Sequence, residues 1–268
     1  MAALLLTAAC GGEDRVASPS GALFARYTEC AVENPCVPEV VITRRDGTEI
    51  RRFQIRDREG PCMSILGVEW ASENAIAAEC HGNPSMSSYY EVDAASGKVL
   101  RQYLGYGFVR SPDSAKVAHV GAIPHFAPPW QQSEYLQVGD TILYPLPPGT
   151  KPVKQTPLEG APEVVTRKGL VYAGVHEFPG TFVWSPDSRM IGLLDCLVDY
   201  RLRDGSEDAL NEGGKRENRR CFAVAVGLDG ALRKTPISAT ADREVVLRWA
   251  DRRTLLATYA GTTVKVVW

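Results

Sequence analysis

Apolar residues in this chain come in short runs closed by turn residues, not in long helical stripes. Val40 to Arg45 is followed by Asp46-Gly47 and then Thr48 to Ile55; Tyr89 to Asp93 is followed by Ala94 to Gly97 and Lys98 to Leu104. The same layout recurs as Phe222 to Val226, Gly227-Leu-Asp-Gly230 and Ala231 to Ile237, and Thr141 to Leu146 runs into Pro147-Pro-Gly-Thr150. Runs of this length, bounded by Gly, Asp and Pro, read as antiparallel hairpins. The 24 Gly and 18 Pro spread breakers through the whole chain, and only the stretch from Ile237 to Ala260 is long enough without one to hold an extended helix. Because each breaker costs about 1 to 3 kcal/mol inside a helix, long helices are nearly excluded.

A second pattern is a repeat. Phe108-Val-Arg-Ser-Pro-Asp-Ser-Ala-Lys-Val-Ala-His-Val120 aligns without a gap on Phe182-Val-Trp-Ser-Pro-Asp-Ser-Arg-Met-Ile-Gly-Leu-Leu194. Weaker copies run from Val68 to Ala78 and from Leu247 to Ala257. The anchoring positions Trp70, Arg110, Trp184 and Trp249 lie 40, 74 and 65 residues apart, one unit followed by two units with insertions. Each cassette reads as strand, tight turn, strand: Pro112 and Pro186 fix φ at the second turn position, and the Ser and Asp side chains can bond the turn backbone. A helix over Asp242 to Tyr259 competes locally, with Val245, Trp249 and Leu256 at helical spacing. Strands are preferred, because Val245-Val246 and Thr254 to Thr258 bracket a polar Asp251-Arg-Arg253 in register with the other cassettes.

The Ser-Pro-Asp cassettes resemble the Trp-Ser-Pro-Asp-Gly repeat of the TolB-type propeller family, with Ser114 and Ser188 in place of the final Gly. The resemblance implies an all-β fold, a β-propeller of about five small, partly irregular antiparallel blades, or four blades plus extra strands. Residues 1–10 are expected to be a signal-like segment, 11–21 a flexible linker and 22–268 the propeller, with Pro162 to Val175 unassigned.

The start, Met1 to Cys10, is an apolar run too short to cross a bilayer that ends in small residues before a cysteine. Leu6 to Cys10 resembles the lipobox of bacterial lipoproteins, which implies lipidation at Cys10, export, and a place on the periplasmic side of the bacterial envelope. Gly11, not Asp, follows the cysteine, which by the same resemblance favours the outer membrane. The other six cysteines form an even set, which in an exported chain points to disulfides. Read on the strands, Cys30 pairs with Cys36 and Cys196 with Cys221 across loop mouths, while Cys62 and Cys80 flank a hairpin.

A net charge of -2 argues against nucleic acid as a partner, and hydrophobic and charged residues at 44% and 23% place the chain in the soluble globular class. Function is sought in the loops joining the second and third strands of each blade. Gly121 to Ser133 is apolar for a loop, and His125, Phe126 and Trp130 form the candidate binding surface for an envelope protein or a polymer. Leu197 to Arg220 carries six basic and six acidic residues and reads as a solvated excursion stapled by Cys196 and Cys221. Asp195 and Asp199 are weighed, and set aside, as calcium ligands. Neither a Gly-x-Ser-x-Gly elbow, a phosphate loop nor a metalloprotease helix is present. The expectation is a non-catalytic, membrane-anchored binding or assembly module without cofactor or metal. The alternative is a hydrolase or metal-dependent enzyme using the face with His119 and His125.

Overall fold

The computed structural model describes residues 15–28, 36–58, 60–83, 86–123, 127–154, 164–202, 214–238 and 245–268. Regular structure among them is strand throughout, apart from one 3-10 turn at Pro129–Gln131. The chain divides into two compact units, residues 1–81 with 89–102 and residues 82–88 with 103–268. In the first, β1 (Val16–Ala17), β2 (Leu23–Tyr27), β3 (Val40–Arg44) and β4 (Glu49–Phe53) pair in chain order. A second meander follows: β5 (Ile65–Ser72), β6 (Ala75–Asn83), β7 (Met86–Asp93) and the first residues of β8 (Val99–Arg110). In the second unit the end of β8 leads into β9 (Val117–Gly121), β10 (Leu136–Val138), β11 (Thr141–Tyr144) and β12 (Val153–Lys154), again paired in chain order.

The next sheet holds β13 (Thr166–Lys168), β14 (Val171–Glu177), β15 (Val183–Trp184), β16 (Met190–Leu202), β17 (Gly214–Gly227) and β18 (Leu232–Ile237). One edge of β16 pairs with β17 from end to end; the other takes β15 at Ile191 and Gly192 and β14 from Cys196 to Arg201. The three-stranded β19 (Val246–Trp249), β20 (Thr254–Tyr259) and β21 (Thr262–Val267) end the chain, so the segment where a helix competed is a strand pair. Short antiparallel meanders joined by tight turns make this an all-β fold of the propeller class, as the repeat implied.

All four cassettes are strand–turn–strand. In the two Ser-Pro-Asp copies the turns superimpose bond for bond: Ser114 N–H donates to the Ser111 carbonyl at 2.8 Å and Ser188 N–H to the Ser185 carbonyl at 2.9 Å. The hydroxyls of Ser111 and Ser185 accept from Lys116 N–H at 3.0 Å and Met190 N–H at 2.9 Å. Ser114 and Ser188 sit at φ 59° and 57°, the left-handed conformation that explains why glycine suits this position. Serine gives something back, since Ser188 Oγ accepts the Asp113 N–H at 3.1 Å and ties one turn to the other.

The aromatic before each turn has a defined task. Trp184 Nε1–H donates to the Val109 carbonyl at 2.9 Å and Trp249 Nε1–H to the Val183 carbonyl at 3.0 Å. In both cases the acceptor is the residue preceding the anchoring position of the earlier cassette. Trp70 makes the corresponding bond to the Val16 carbonyl at 2.9 Å within the first unit. Arg110, which has no indole, donates to the Ser114 carbonyl of its own turn at 3.0 Å.

Several expectations need correcting. Val16–Ala17 pair with Phe24 and Ala25, so part of the segment read as linker is strand. Pro162 to Val175, left unassigned, contains β13 and the start of β14. The stretch read as a solvated excursion is strand at both its described ends: β16 runs on past the disulfide to Leu202 and β17 begins at Gly214, with cross-strand partners along both and an Arg201–Glu217 ion pair at 3.0 Å. Cys196 and Cys221 are direct cross-strand neighbours and are bonded; Cys62, just before β5, is bonded to Cys80 of β6, which faces Ile65. Cys36 is also disulfide-bonded, while Cys30 and Cys10 lie outside the described residues.

The indole bonds predict a stability cost. Trp184→Phe keeps the aromatic packing but leaves the Val109 carbonyl unpaired, and should lower the free energy of unfolding by about 1–3 kcal/mol. Urea titration followed by circular dichroism measures this, and a change within error would mean the indole bond contributes nothing.

Candidate functional site

The run Met190-Ile-Gly-Leu-Leu-Asp-Cys-Leu-Val198 is apolar except for Asp195, because β16 is covered on both faces. Such a strand reads as a continuous hydrophobic run, and a carboxylate within it must find donors. Asp195 is fully buried and finds two: the Tyr144 hydroxyl donates to Oδ2 at 2.5 Å, and His176 Nδ1 lies 2.9 and 3.1 Å from its two oxygens. Asp195 thereby sets the His176 tautomer with Nδ1 as donor. Among the described residues Nε2 makes no hydrogen bond, and a tenth of the His176 side chain is exposed.

A second carboxyl borders the pair. Glu134 N–H donates to the His176 carbonyl at 2.9 Å, and His176 N–H donates to Ser133 Oγ at 3.1 Å, so the two segments run side by side. The Glu134 carboxylate accepts from the Tyr106 hydroxyl and from Phe178 N–H. Beyond it, Glu177 accepts from the Tyr200 hydroxyl at 3.0 Å and pairs with Arg216. Tyr144, Phe178 and Phe182 form an aromatic wall, with ring centroids 6.1 Å apart between Tyr144 and Phe178 and 6.2 Å between Phe178 and Phe182.

Burial governs the electrostatics. Glu134 titrates above the ordinary carboxylate range, chiefly because burial disfavours its charge; the Tyr106 and Phe178 donors oppose this in part. Tyr106 and Tyr144 are raised well beyond the usual phenol range by burial and by the neighbouring Glu134 and Asp195 charges, so both stay neutral donors. Tyr200 is pushed up to about 12 by burial and then by Glu177. The arrangement holds an imidazole fixed at one nitrogen by a buried carboxylate, near a carboxyl that retains its proton more readily than usual. Those are the two complementary roles of proton-transfer chemistry.

The residues singled out in the sequence are placed elsewhere. His119 is buried on β9, stacked on Phe108 with ring centroids 5.1 Å apart and tilted against Tyr103 at 5.8 Å, so it belongs to the packing of its sheet and not to an open face. Trp130 is not a surface anchor: it is 4% exposed and stacks on Tyr172 at 4.8 Å with the rings 8° from parallel. An indole has more to gain from that stack and from Val175, Val198 and Leu202 than from water. His125 and Phe126 lie outside the described residues. Asp199, like Asp195, spends its oxygens on protein donors: Gly174 N–H at 3.0 Å and Asn218 Nδ2 at 3.2 Å. Sequence reasoning missed His176 and Glu134. Asp195 carried a signal, being the one charge in the apolar run Met190 to Val198, but it was read only as a calcium candidate.

No protein-family model matches the chain. No curated protein matches it either. Among solved structures it is similar to the β-propeller domain of the Trilobed protease from Pyrococcus furiosus, at 15% identity over 95% of this chain and 67% of that one, with a TM-score of 0.40. It is also similar to the periplasmic gluconolactonase of Pseudomonas aeruginosa, at 12% identity over 94% and 84%, TM-score 0.30. A putative 6-phosphogluconolactonase from Bacteroides fragilis matches at 11% over 91% and 75%, TM-score 0.25. The likeness is one of fold. The expectation that this chain is not an enzyme is corrected on this finding: chains named as lactonases stand among the structures it is similar to.

His119 generates a pH prediction. Burial lowers its pKa to about 4, against 6.5 for the free side chain. The unfolded chain therefore binds a proton that the native chain refuses. The stability this neutral histidine permits is complete above pH 6.5 and declines as the pH falls towards 4, by about 3 kcal/mol in all. Urea unfolding at a series of pH values should show that decline, and His119→Leu should flatten it; an unaltered slope in the variant would assign the acid sensitivity elsewhere.

Proposed function

We propose that this chain is an exported, lipid-anchored propeller of the bacterial envelope whose working site is the His176–Asp195 pair, and that its chemistry is hydrolysis of a small ester-type substrate. The observation that carries the reading is the imidazole held at Nδ1 by a fully buried carboxylate, with no hydrogen bond to Nε2 among the described residues. A general base needs that arrangement: one nitrogen fixed by an acceptor, the other free for a proton. His176 Nε2 takes a proton from a water molecule as the water oxygen attacks the acyl carbon. Asp195 stabilises the imidazolium, and the proton passes from Nε2 to the departing oxygen, restoring the neutral ring. The Tyr144 hydroxyl holds the second oxygen of Asp195, so the carboxylate cannot swing away from the ring. Glu134, with its raised pKa, is the second group able to hold a proton beside the substrate.

Support for the location comes from the lipobox-like start at Leu6 to Cys10 and from two disulfides, which suit an oxidising compartment. Expressed with its own start in a bacterial host, the chain is expected in the membrane fraction and Cys10→Ser in the soluble fraction. Membrane association unchanged by the substitution would remove the anchor.

For the chemistry, the purified chain is assayed by pH-stat on a panel of linear and cyclic carboxylic esters. His176→Gln and Asp195→Asn are each expected to cut turnover by about 100-fold or more. Hydrolysis no faster than buffer across the panel, or variants as active as the parent, would end the hydrolytic reading.

A further inference from the structure

Resting on the reading of His176–Asp195 as the working pair, we infer that Asp199 is a positioning residue that sets the strand register by which His176 meets Asp195. At the open end of the sheet, Val171 faces Arg201 and Tyr172 faces Tyr200; further in, Val175 faces Val198, His176 faces Leu197 and Glu177 faces Cys196. Between these stretches the register slips by one residue, because Ala173 and Gly174 together stand opposite Asp199 alone. Directly opposed residues of an antiparallel pair point to the same face, and β16 alternates regularly. His176, facing Leu197, therefore shares a face with Asp195 two residues along. Without the slip His176 would face Cys196 and point away from Asp195.

The other neighbour of β16 slips at the same level. Leu197 faces Arg220 while Asp199 faces Glu217, so Asn218 and Arg219 together flank Val198. Gly174 at φ 81° and Asn218 at φ 51° are the left-handed residues of these two bulges. The buried Asp199 carboxylate joins them: Oδ1 accepts Gly174 N–H at 3.0 Å on β14, and Oδ2 accepts Asn218 Nδ2 at 3.2 Å on β17. Arg220 stands 3.9 Å from Oδ1 at its edge. One side chain thus holds both irregularities in phase, and the distance from Asp199 to the reacting nitrogen is bridged by strand register alone.

The test reads the His176 ring directly. An imidazole N–H donated to a buried carboxylate gives a downfield, slowly exchanging proton resonance, identified here by its loss in Asp195→Asn. Asp199→Ala is expected to lose or broaden that resonance while the chain stays folded, and Asp199→Asn, which keeps an acceptor for Gly174 N–H, is expected to restore most of it. Should Asp199→Ala not fold, Gly174→Ala serves instead: a Cβ there meets no atom within 4 Å, so its only effect is through the strained φ. A resonance as sharp in Asp199→Ala or Gly174→Ala as in the parent, at reduced melting temperature, would make Asp199 merely structural and overturn the inference. Absence of the resonance from the parent chain would overturn both the inference and the working pair. Its presence in a parent that hydrolyses none of the esters would end the hydrolytic reading and leave the register lock to be decided by the variants.

Discussion

A strand in an antiparallel sheet has only two faces, and which residue lies on which is settled by pairing register. β16 lives under that constraint more than any other strand. Ile191 and Leu193 join the cluster of Phe178, Phe182 and Trp184, whereas Leu194 and Cys196 join the one with Leu255, Ala257 and Val266. Gly192 belongs to the tighter side, where a Cβ would come within 2.5 Å of Leu255. Asp195 lies on the same face as Leu193, so the carboxylate enters an aromatic and apolar layer where, among the described residues, Tyr144 and His176 reach it. A one-residue displacement would exchange these environments and bury the charge without donors, at a cost of several kcal/mol.

Registers of this kind were only partly legible in the sequence. The cassettes were readable because turn chemistry is local: Pro112 and Pro186 fix φ, the serine hydroxyls bond within the turn, and apolar runs on either side have nowhere to go but a hairpin. Two of the disulfide pairs, Cys62–Cys80 and Cys196–Cys221, followed from the same hairpins. What the cassettes could not tell was the reach of the third strand. The balanced charge of Leu197 to Arg220 looked like a solvated loop, yet alternating charges also suit two long strands that pair side chain against side chain, and Arg201 with Glu217 shows that solution. Composition does not separate the two cases; cross-strand neighbours do.

The apolar segment before Ser133 misled for a related reason. An aromatic in a loop is read as a surface offered to a partner, but Trp130 meets the flat face of Tyr172 and is consumed by its own chain. His176 escaped notice because nothing near it in sequence marks it. Its partner is 19 residues away and its orientation depends on the bulge at Gly174, a feature that only an accounting of both strands reveals. Glycine was a clue here only in hindsight, being one of 24.

Three constraints meet within five residues of β16. The Cys196–Cys221 bond fixes that strand to β17 at a direct cross-strand pair, with a Cα separation of 4.0 Å. Closing a loop over a sequence separation of 25 residues, it removes about 3 kcal/mol of chain entropy from the unfolded state. Asp199 fixes the bulges on both neighbours three residues further on, and Asp195, between the core and the disulfide, receives the phenol and the imidazole. Each constraint alone leaves freedom: the covalent bond permits the outer strand to slip, and the carboxylate bridge permits the hairpin to fray. Acting together they leave His176 a single position. The imidazole is therefore oriented by the sheet itself, whose paired strands supply the rigidity that a loop would otherwise have to provide.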